Sequence, residues 1–375
     1  MKGRVALLAV AMACVAAVAA SVPRPAGDQR KTQAVVLIVS DGLRWQEVFT
    51  GADPLLLNSK NGGSWMSVQE LKKRYWREGV EERRAALLPF FWTVIAKQGQ
   101  LYGNQTRGSA ARVTNGLAFS YPGYNEMLTG RPDPRIDSNE FGPNPNTTVF
   151  EWLSRNPEFA GRVAVFATWG TFREIFNQPR SHLDVHAGWE PPYSSTSGGE
   201  RDALLRELYA STTRLDHDDL YNSFLQVGLL DYVRTRKPRA LFVGYGETDN
   251  WAHQGRYDLV LESAHGTDRL VQGLWETMQA MPEYHGRVTF LITADHGRGS
   301  GPVEWREHGK KEKGSENIWL AVIGPDTAAL GERTNIAPIT QAQIAATLAA
   351  FLGQDYRRDV PSAAAAIQEV TAKPD

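Results

Sequence analysis

The sequence predicts an α/β domain with a mainly parallel sheet covered by helices on both faces. Three apolar runs rich in β-branched residues, 34–40, 288–294 and the run after Arg239, have the length of strands. They are too uniformly apolar for strands with one face in water, and each ends close to an aspartate. Segments with helical spacing separate them. This alternation is typical of a parallel sheet whose crossover helices cover both faces.

Further elements follow from local patterns. Strands are predicted at 162–168 and 317–323, and helices at 121–129, 218–236 and 258–281. The last helix is predicted to begin at Thr340, which forms a capping box with Gln343, and to stop at Gly353. The stretch 189–201 has no apolar periodicity. We therefore expect a small cap insertion over the sheet at about 170–215.

Composition limits the class of protein. The chain has 375 residues, of which 42% are apolar and 22% charged, enough for one large globular domain. The formal net charge is −1, with no long run of either sign. The composition therefore indicates neither binding to a nucleic acid duplex nor binding to an anionic membrane.

The N-terminus has the pattern of a secretory signal peptide, residues 1–20. Lys2 and Arg4 precede the apolar segment 5–20, which ends in small residues and is short for a membrane span. Cys14, the only cysteine, could be a lipidation site, but Ala11 stands where a lipobox usually has Leu. We expect a mature protein of residues 21–375, a single catalytic domain without a transmembrane segment, in the periplasm or the medium.

Residues with metal-ligand chemistry follow the strands. Asp41 ends the first strand and is followed by Gly42, and Asp295-His296-Gly297 follows the run 288–294. Because open α/β sheets place ligands at the carboxyl edge, oxygen and nitrogen donors there suit a divalent ion such as zinc. The alternatives are a capping aspartate for Asp41 and a plain turn for Asp-His-Gly.

Two more histidines complete the donor inventory. The run after Arg239 leads to Asp249 and, four residues later, to His253. If this turn is helical, both side chains lie on one face and can share one cation. His308 stands in a charged loop near the end of the chain.

Ser120 stands at the start of the predicted helix 121–129. A helix N-terminus favours negative charge, so this hydroxyl is a candidate nucleophile. The alternative is a serine that only caps the helix.

In this order the motifs closely resemble the alkaline phosphatase superfamily, in particular its nucleotide pyrophosphatase/phosphodiesterase branch. The shared motifs are Asp-Gly-x-Arg, a nucleophile followed by x-Pro, Asp-x-x-x-His, Asp-His-Gly and a late His-Gly. The resemblance implies a three-layer sandwich and two divalent metal ions, with zinc the expected ion. It also implies two ligand sets: Asp249, His253 and His308 for one metal, and Asp41, Asp295, His296 and the Ser120 oxygen for the other.

The sequence departs from the family at informative positions. The diesterase branch commonly has Thr where Ser120 stands and Asn where Gly123 stands. The sulfatase branch has Arg at the place of Tyr124, which puts sulfate ester cleavage in doubt. The candidates for the missing oxyanion donor are Asn115, Asn125 and Arg44.

These observations predict an exported two-metal hydrolase of small-molecule phosphate esters, of the phosphodiesterase or phosphatase type. It would act through a metal-activated Ser120 and a covalent phospho-serine, as the resemblance implies. Two alternatives stand beside it. One is a sulfatase-like ester hydrolase, and the other is a catalytically silent member of the fold that binds a phosphorylated or sulfated ligand.

Overall fold

A computed structural model describes residues 30–196, 198–215 and 218–371. The predicted signal peptide, residues 1–20 with Cys14, lies outside the described residues. Within them, no helix combines the length and the apolar composition needed to cross a membrane.

The strands are short, as the apolar runs predict. They are β1 (Ala34–Ser40), β2 (Gln100–Tyr102), β3 (Ala111–Arg112), β4 (Val163–Ala167), β5 (Asp184–Ala187), β6 (Ala240–Tyr245), β7 (Val288–Thr293), β8 (Asn317–Ile318), β9 (Leu320–Ile323), β10 (Gly331–Glu332) and β11 (Ile339–Thr340).

The helices fill the segments between the strands. They are α1 (Trp45–Thr50), α2 (Ser59–Gly62), α3 (Val68–Tyr75), α4 (Val80–Leu87), α5 (Ala96–Gln98), α6 (Ser120–Thr129), α7 (Val149–Ser154), α8 (Phe172–Ile175), α9 (Gln178–Ser181), α10 (Glu200–Ser211), α11 (Asn222–Arg236), α12 (Glu247–His253), α13 (Tyr257–Gln279), α14 (Gln343–Phe351), α15 (Tyr356–Asp359) and α16 (Gln368–Thr371). A π-helix spans Phe91–Ile95, and 3-10 turns span Gln105–Arg107 and Glu304–Arg306.

The main sheet has eight strands in the order β10-β2-β9-β7-β1-β6-β4-β5. β9 runs antiparallel to both of its neighbours, and the other pairs in this sheet are parallel. Every residue of β1, β6 and β7 is buried, so both faces of the sheet are covered. The predicted fold class, a mainly parallel sheet between layers of helices, is confirmed.

Strand β1 lies at the centre of the sheet, between β6 and β7. Its last residue, Ser40, pairs with Tyr245 at the end of β6, and Val39 pairs with Thr293 at the end of β7. Since all three strands run in the same direction, their carboxyl ends form one edge. The residues that follow them are therefore brought together.

Three predicted elements differ from the structure. The predicted strand 317–323 is two strands, because β8 belongs to a separate sheet of order β11-β3-β8. The helix predicted to begin at Thr340 is α14, which begins at Gln343, and Thr340 instead pairs with Arg112 in that second sheet. The capping contact itself is present, since Gln343 Oε1 accepts the Thr340 N–H at 2.9 Å.

The third difference concerns the predicted helix 218–236, which begins only at Asn222. The preceding residues are extended along the end of β4, where Leu220 N donates to the Thr168 carbonyl at 2.8 Å. Asn222 N then donates to Glu247 Oε1 at 2.8 Å, so a tertiary contact determines where the helix starts.

The span predicted as a cap, 170–215, contains both α10 and β5. β5 pairs in parallel with β4 and forms one edge of the central sheet. Part of this span therefore belongs to the central sheet. The short sequence Asp184-Val185-His186-Ala187 alternates polar and apolar residues, as a strand at a sheet edge does.

Candidate metal centre

The carboxyl edge of the sheet collects three aspartates from three neighbouring strands. Asp41 follows β1 directly, Asp295 follows β7 by two residues, and Asp249 lies in α12, which begins two residues after β6. The sequence predicts this arrangement because each apolar run ends near an acid. Around these carboxylates the structure brings together the three predicted histidines.

The first group consists of Asp41, Asp295 and His296, all buried, with one donor atom of each within 4.8 Å of the others. His296 Nε2 lies 3.4 Å from Asp41 Oδ1 and 3.4 Å from Asp295 Oδ2. Neither of these two oxygens has a hydrogen-bond donor among the described residues. Buried carboxylate oxygens without donors are costly, so the group fits a divalent cation.

The tautomer of His296 also suits a metal ligand. Its Nδ1 lies 2.9 Å from the carbonyl oxygen of Gly297, an acceptor, so Nδ1 carries the proton. In the neutral ring that binds a metal, Nε2 is then left with its lone pair directed at the two carboxylates. A ring N–H bound to a backbone carbonyl is the usual support of a histidine that binds a metal.

The second group consists of Asp249, His253 and His308. The turn after Asp249 is helical, so α12 places Asp249 and His253 one turn apart, and His253 Nε2 lies 3.3 Å from Asp249 Oδ2. His308 Nε2 lies 2.9 Å from His253 Nε2. Two ring nitrogens and a carboxylate oxygen that face one another suit a common cation. The His253 side chain is 39% exposed, so this group lies at the opening of the site.

The two groups form one continuous cluster. The rings of His296 and His308 stack with centroids 3.9 Å apart, and Asp249 Oδ1 lies 3.8 Å from His296 Nε2. Two metals bound here would therefore be neighbours, as in sites where two ions act on one phosphoryl group.

Crowded charges shift the pKa values of these ligands. Burial, and then repulsion from Asp41, raises the pKa of Asp295 well above its usual range. Burial acts to lower the pKa of His296, but the carboxylates of Asp295 and Asp41 outweigh it and raise that pKa to about 9. Burial, and then the charge of His296, lowers the pKa of His308 to about 2. Protons on Asp295 and His296 therefore offset the negative charge that a bound cation would otherwise neutralise.

Ser120 is the first residue of α6, and its side chain lies against the first group. Its Oγ is 3.4 Å from His296 Nε2, and the residue is 6% exposed. Phe119 occupies the N-cap position, and no side-chain cap is formed, so the alternative of a simple capping serine is wrong. The Ser120 hydroxyl thus approaches the same atom, His296 Nε2, that the carboxylates of Asp41 and Asp295 approach.

The backbone at the start of α6 offers few donors to an anion. Tyr121 N donates to Asn139 Oδ1 at 3.0 Å, and Gly123 N donates to the Phe119 carbonyl. Pro122 has no N–H. The predicted preference of this helix end for negative charge therefore depends on the helix dipole more than on these N–H groups.

Each of the three carboxylates has one oxygen engaged by a protein donor. The Tyr124 hydroxyl donates to Asp41 Oδ2 at 2.8 Å, and Gly42 N donates to Asp295 Oδ1 at 3.1 Å. The third donor is the guanidinium of Arg298, which binds the Oδ1 atom of Asp249. The other oxygen of each carboxylate faces a histidine nitrogen.

Two of these donors were not assigned to the site from sequence. In the sequence Tyr124 is only a departure from the sulfatase pattern, and Arg298 belongs to none of the motifs. A local signal exists for Arg298, which directly follows Asp-His-Gly. The hydroxyl of Tyr124 has no such signal, because its partner is 83 residues away in the chain.

Gly123 marks a close approach between α6 and the loop after β7. A Cβ atom at this position would lie 2.5 Å from the carbonyl oxygen of Asp295. Real Cβ atoms essentially never come so close to backbone. This contact explains the glycine at the position where the diesterase branch commonly has Asn.

The three candidates for the missing oxyanion donor are all engaged elsewhere. Arg44 donates from Nε and Nη2 to the carboxylate of Glu47, and from Nη1 to the Gly299 carbonyl. It therefore supports the loop that follows the Asp-His-Gly motif.

The other two candidates hold the segments around α6. The Asn115 amide donates to Glu126 at 3.0 Å, and its Oδ1 accepts from the backbone ahead of Ser120. The Asn125 amide donates to the Arg131 carbonyl at 3.4 Å. As oriented here, neither amide is free to donate to an oxyanion.

Known proteins resemble this chain in their three-dimensional structure but not detectably in their sequence. No protein-family model matches the sequence, and no curated protein matches it. The structure resembles Ps i-CgsB in complex with k-i-k-neocarrahexaose, with a TM-score of 0.53 and 13% identity over 91% of this chain and 75% of that chain.

Two further solved structures have the same architecture. One is a 2-O GAG sulfatase, with a TM-score of 0.50 and 12% identity over 91% of this chain and 76% of that chain. The other is the lipoteichoic acid synthase LtaP from Listeria monocytogenes, with a TM-score of 0.54 and 9% identity over 87% and 73%. Together with the order of the motifs, these similarities show that the chain has the fold of the alkaline phosphatase superfamily.

Proposed function

We propose that this protein is an exported two-metal hydrolase of phosphate esters, of the phosphodiesterase type, with Ser120 as its nucleophile. One observation carries the proposal. The Ser120 hydroxyl lies 3.4 Å from His296 Nε2, beside two buried carboxylate oxygens to which no described residue donates. A nucleophile next to side chains whose chemistry suits a divalent metal is the arrangement that metal-activated attack requires.

Six side chains would hold the two ions. Asp249, His253 and His308 form one ligand set, and Asp41, Asp295 and His296 form the other, with Ser120 Oγ beside the second set. Bound divalent ions would lower the pKa of the serine hydroxyl and neutralise charge on the phosphate group. Three carboxylates and three imidazoles suit zinc.

The reaction would have two steps. Ser120 Oγ forms a bond to phosphorus, the ester P–O bond breaks, and the alcohol leaves with a proton. Water then attacks the phospho-serine, which restores the hydroxyl and releases the phosphate product. The close contact of Gly123 with the Asp295 carbonyl fixes α6, and with it Ser120, against the ligand set. Such positioning supports in-line attack.

Phosphodiesters are the proposed substrates. The support is the diesterase-like Asp41-Gly42-Leu43-Arg44 motif, together with the absence of the arginine that sulfatases have at the place of Tyr124. In the structure the Tyr124 hydroxyl donates to Asp41, so this position supports a ligand instead of contributing a positive charge. One of the similar structures is a 2-O GAG sulfatase, so sulfate esters are the necessary competitor.

A panel of p-nitrophenyl substrates tests the proposal. The zinc-loaded protein is assayed with a phosphodiester, a phosphate monoester, a phosphonate and a sulfate ester, and the four turnover rates are compared. We expect the diester to react fastest and the sulfate slowest. Acid quench during turnover, followed by mass spectrometry of the Ser120 peptide, should show a phosphorylated serine. Fastest turnover of the sulfate ester would support the sulfatase alternative, and no turnover would support a silent binding protein.

Export is part of the proposal and has its own test. Expressed with its full sequence, the protein should be recovered from the periplasm or the medium with an N-terminus near Ser21, because the small residues before it form a cleavage site. Intact mass gives the N-terminus, and elemental analysis should give about two zinc ions per chain. An uncleaved N-terminus would contradict export.

A further inference from the structure

Arg298 is a buried cation beside the second ligand group. Its side chain is 2% exposed, and its guanidinium binds Asp249 Oδ1 and also the Asp249 carbonyl at 3.2 Å. On the other side, Nη1 donates to the Arg306 carbonyl at 2.5 Å. Gly42 makes room for this side chain, because a Cβ there would lie 2.9 Å from Arg298 Nε. The guanidinium is thus held on both sides.

These contacts argue against a role in binding substrate. Both terminal nitrogens of Arg298 are already bonded to protein oxygens, and the side chain has almost no exposed surface. Nε is buried and has no acceptor among the described residues. A guanidinium held in this way acts on its surroundings mainly through its charge and through the oxygen that it occupies.

The charge makes the two ligand groups unequal. The first group has two carboxylates, Asp41 and Asp295, and all three of its residues are buried. The second has one carboxylate, Asp249, and the charge of Arg298 offsets it. Attraction between unit charges a few ångströms apart is strong where water is excluded. A divalent ion would therefore be held more strongly by the first group than by the second.

We propose that Arg298 makes the Asp249–His253–His308 group the weaker of two unequal metal sites, so that its ion is exchangeable while the other ion stays bound. The inference rests on the proposed two-metal function. Exposure agrees with it, since the His253 side chain at the opening is 39% exposed whereas His296 is fully buried. An exchangeable ion at the opening would make the availability of metal a control on activity.

Zinc titration of the metal-free protein against a chromogenic chelator tests this without any measurement of turnover. The wild type should bind one zinc ion tightly and a second at least about tenfold more weakly, given the difference in charge. Asp249→Ala should remove the weak class, and Asp295→Ala should remove the tight class. Equal affinities in the wild type, or the opposite assignment, would overturn the proposal.

Two substitutions isolate the charge of Arg298. Arg298→Met should strengthen the weak class by about tenfold, whereas Arg298→Lys, which keeps the charge but not the planar fork, should not strengthen it. Arg162→Met is the matched control, because Arg162 donates to the Lys237 carbonyl before β4, at the opposite edge of the sheet. Weaker zinc binding in both Arg298 variants would mean that the arginine only orients Asp249, and the proposal would be wrong.

The outcomes separate this inference from the proposed function. Two zinc ions of equal affinity would overturn the inference and leave the two-metal centre intact. A protein that binds fewer than two zinc ions in any class would overturn the metal centre itself. If Arg298→Met does not fold, the wild type with Asp249→Ala and Asp295→Ala still decides whether the two sites differ.

Discussion

The hydroxyl of Tyr124 donates to Asp41 Oδ2 at 2.8 Å, from inside α6 to the end of β1. Burial, followed by the charges of Asp295 and Asp41, raises the pKa of Tyr124 well above its usual range. The phenol therefore keeps its proton and remains a donor at neutral pH. The bond leaves Asp41 Oδ1 as the oxygen that faces His296.

Tyr124→Phe should weaken metal binding by the Asp41–Asp295–His296 group. Loss of a donor that orients a ligand typically costs about 10- to 100-fold in metal affinity. Zinc titration in an Asp249→Ala background measures this group alone. Tyr284→Phe is the control, because this substitution removes a similar buried hydrogen bond, from the Tyr284 hydroxyl to the Pro238 carbonyl, away from the site. An unchanged zinc affinity in Tyr124→Phe would show that Asp41 binds metal equally well without the hydrogen bond from the Tyr124 hydroxyl.

Gly123→Ala should reduce both stability and turnover. The added Cβ would meet the Asp295 carbonyl oxygen at 2.5 Å, so α6 and the loop after β7 must move apart. A backbone shift of this kind costs about 1–3 kcal/mol and displaces Ser120 from the ligand group. Thermal unfolding and turnover with p-nitrophenyl diesters measure the two effects.

Gly266→Ala in α13 is the matched control for that substitution. Nothing lies within 4 Å of its added Cβ, so the change should stabilise the helix by up to about 1 kcal/mol without loss of activity. Similar behaviour of the two alanine variants would refute the importance of the Gly123 contact.

Ser120→Ala should lower turnover by at least about 1,000-fold, because the proposed mechanism forms a bond to its oxygen. The hydroxyl caps no helix, so the free energy of unfolding should change by less than about 1 kcal/mol, and metal content should be retained. Ser109→Ala is the control, since Ser109 is a buried serine whose Oγ accepts from Gly103 N. Turnover of Ser120→Ala near that of the wild type would exclude the covalent mechanism.

Asp268 should make stability depend on pH. Burial raises its pKa to about 7, although its oxygens accept from the backbone N–H groups of Phe90 and Phe91. An unfolded aspartate has a pKa of about 3.9, so between these values the folded protein binds the extra proton. The contribution of Asp268 to the free energy of unfolding is therefore largest below about pH 4, falls as the pH rises, and is lost above about pH 7.

Urea unfolding at several pH values checks this expectation. The steepest decline due to one group is about 1.4 kcal/mol per pH unit. Asp268→Asn should lack this component, so the difference in slope between the two proteins isolates it from other titrating groups. Parallel curves for the two proteins would show that Asp268 does not titrate in this range.

Local patterns were sufficient for the centre of the fold. A strand covered on both faces must be apolar at successive positions, and β1, β6 and β7 appear in the sequence as such runs. A boundary was missed where a distant contact determines it. The helix α11 begins at Asn222 because Glu247, 25 residues further on, accepts its N–H.

The candidate metal-ligand set was also predictable, because parallel strands bring their carboxyl ends to one edge and Asp41, Asp249 and Asp295 each follow such a strand. By itself, the sequence determined the strands and the seven candidate site residues, among them the i, i+4 pair of Asp249 and His253. The tertiary structure alone decided which donors hold the carboxylates, that Asn115, Asn125 and Arg44 are engaged elsewhere, and that Arg298 binds Asp249. The physical reason is range: hydrophobic periodicity acts between near neighbours in the chain, whereas a hydrogen bond or ion pair joins residues that only the packed fold brings together.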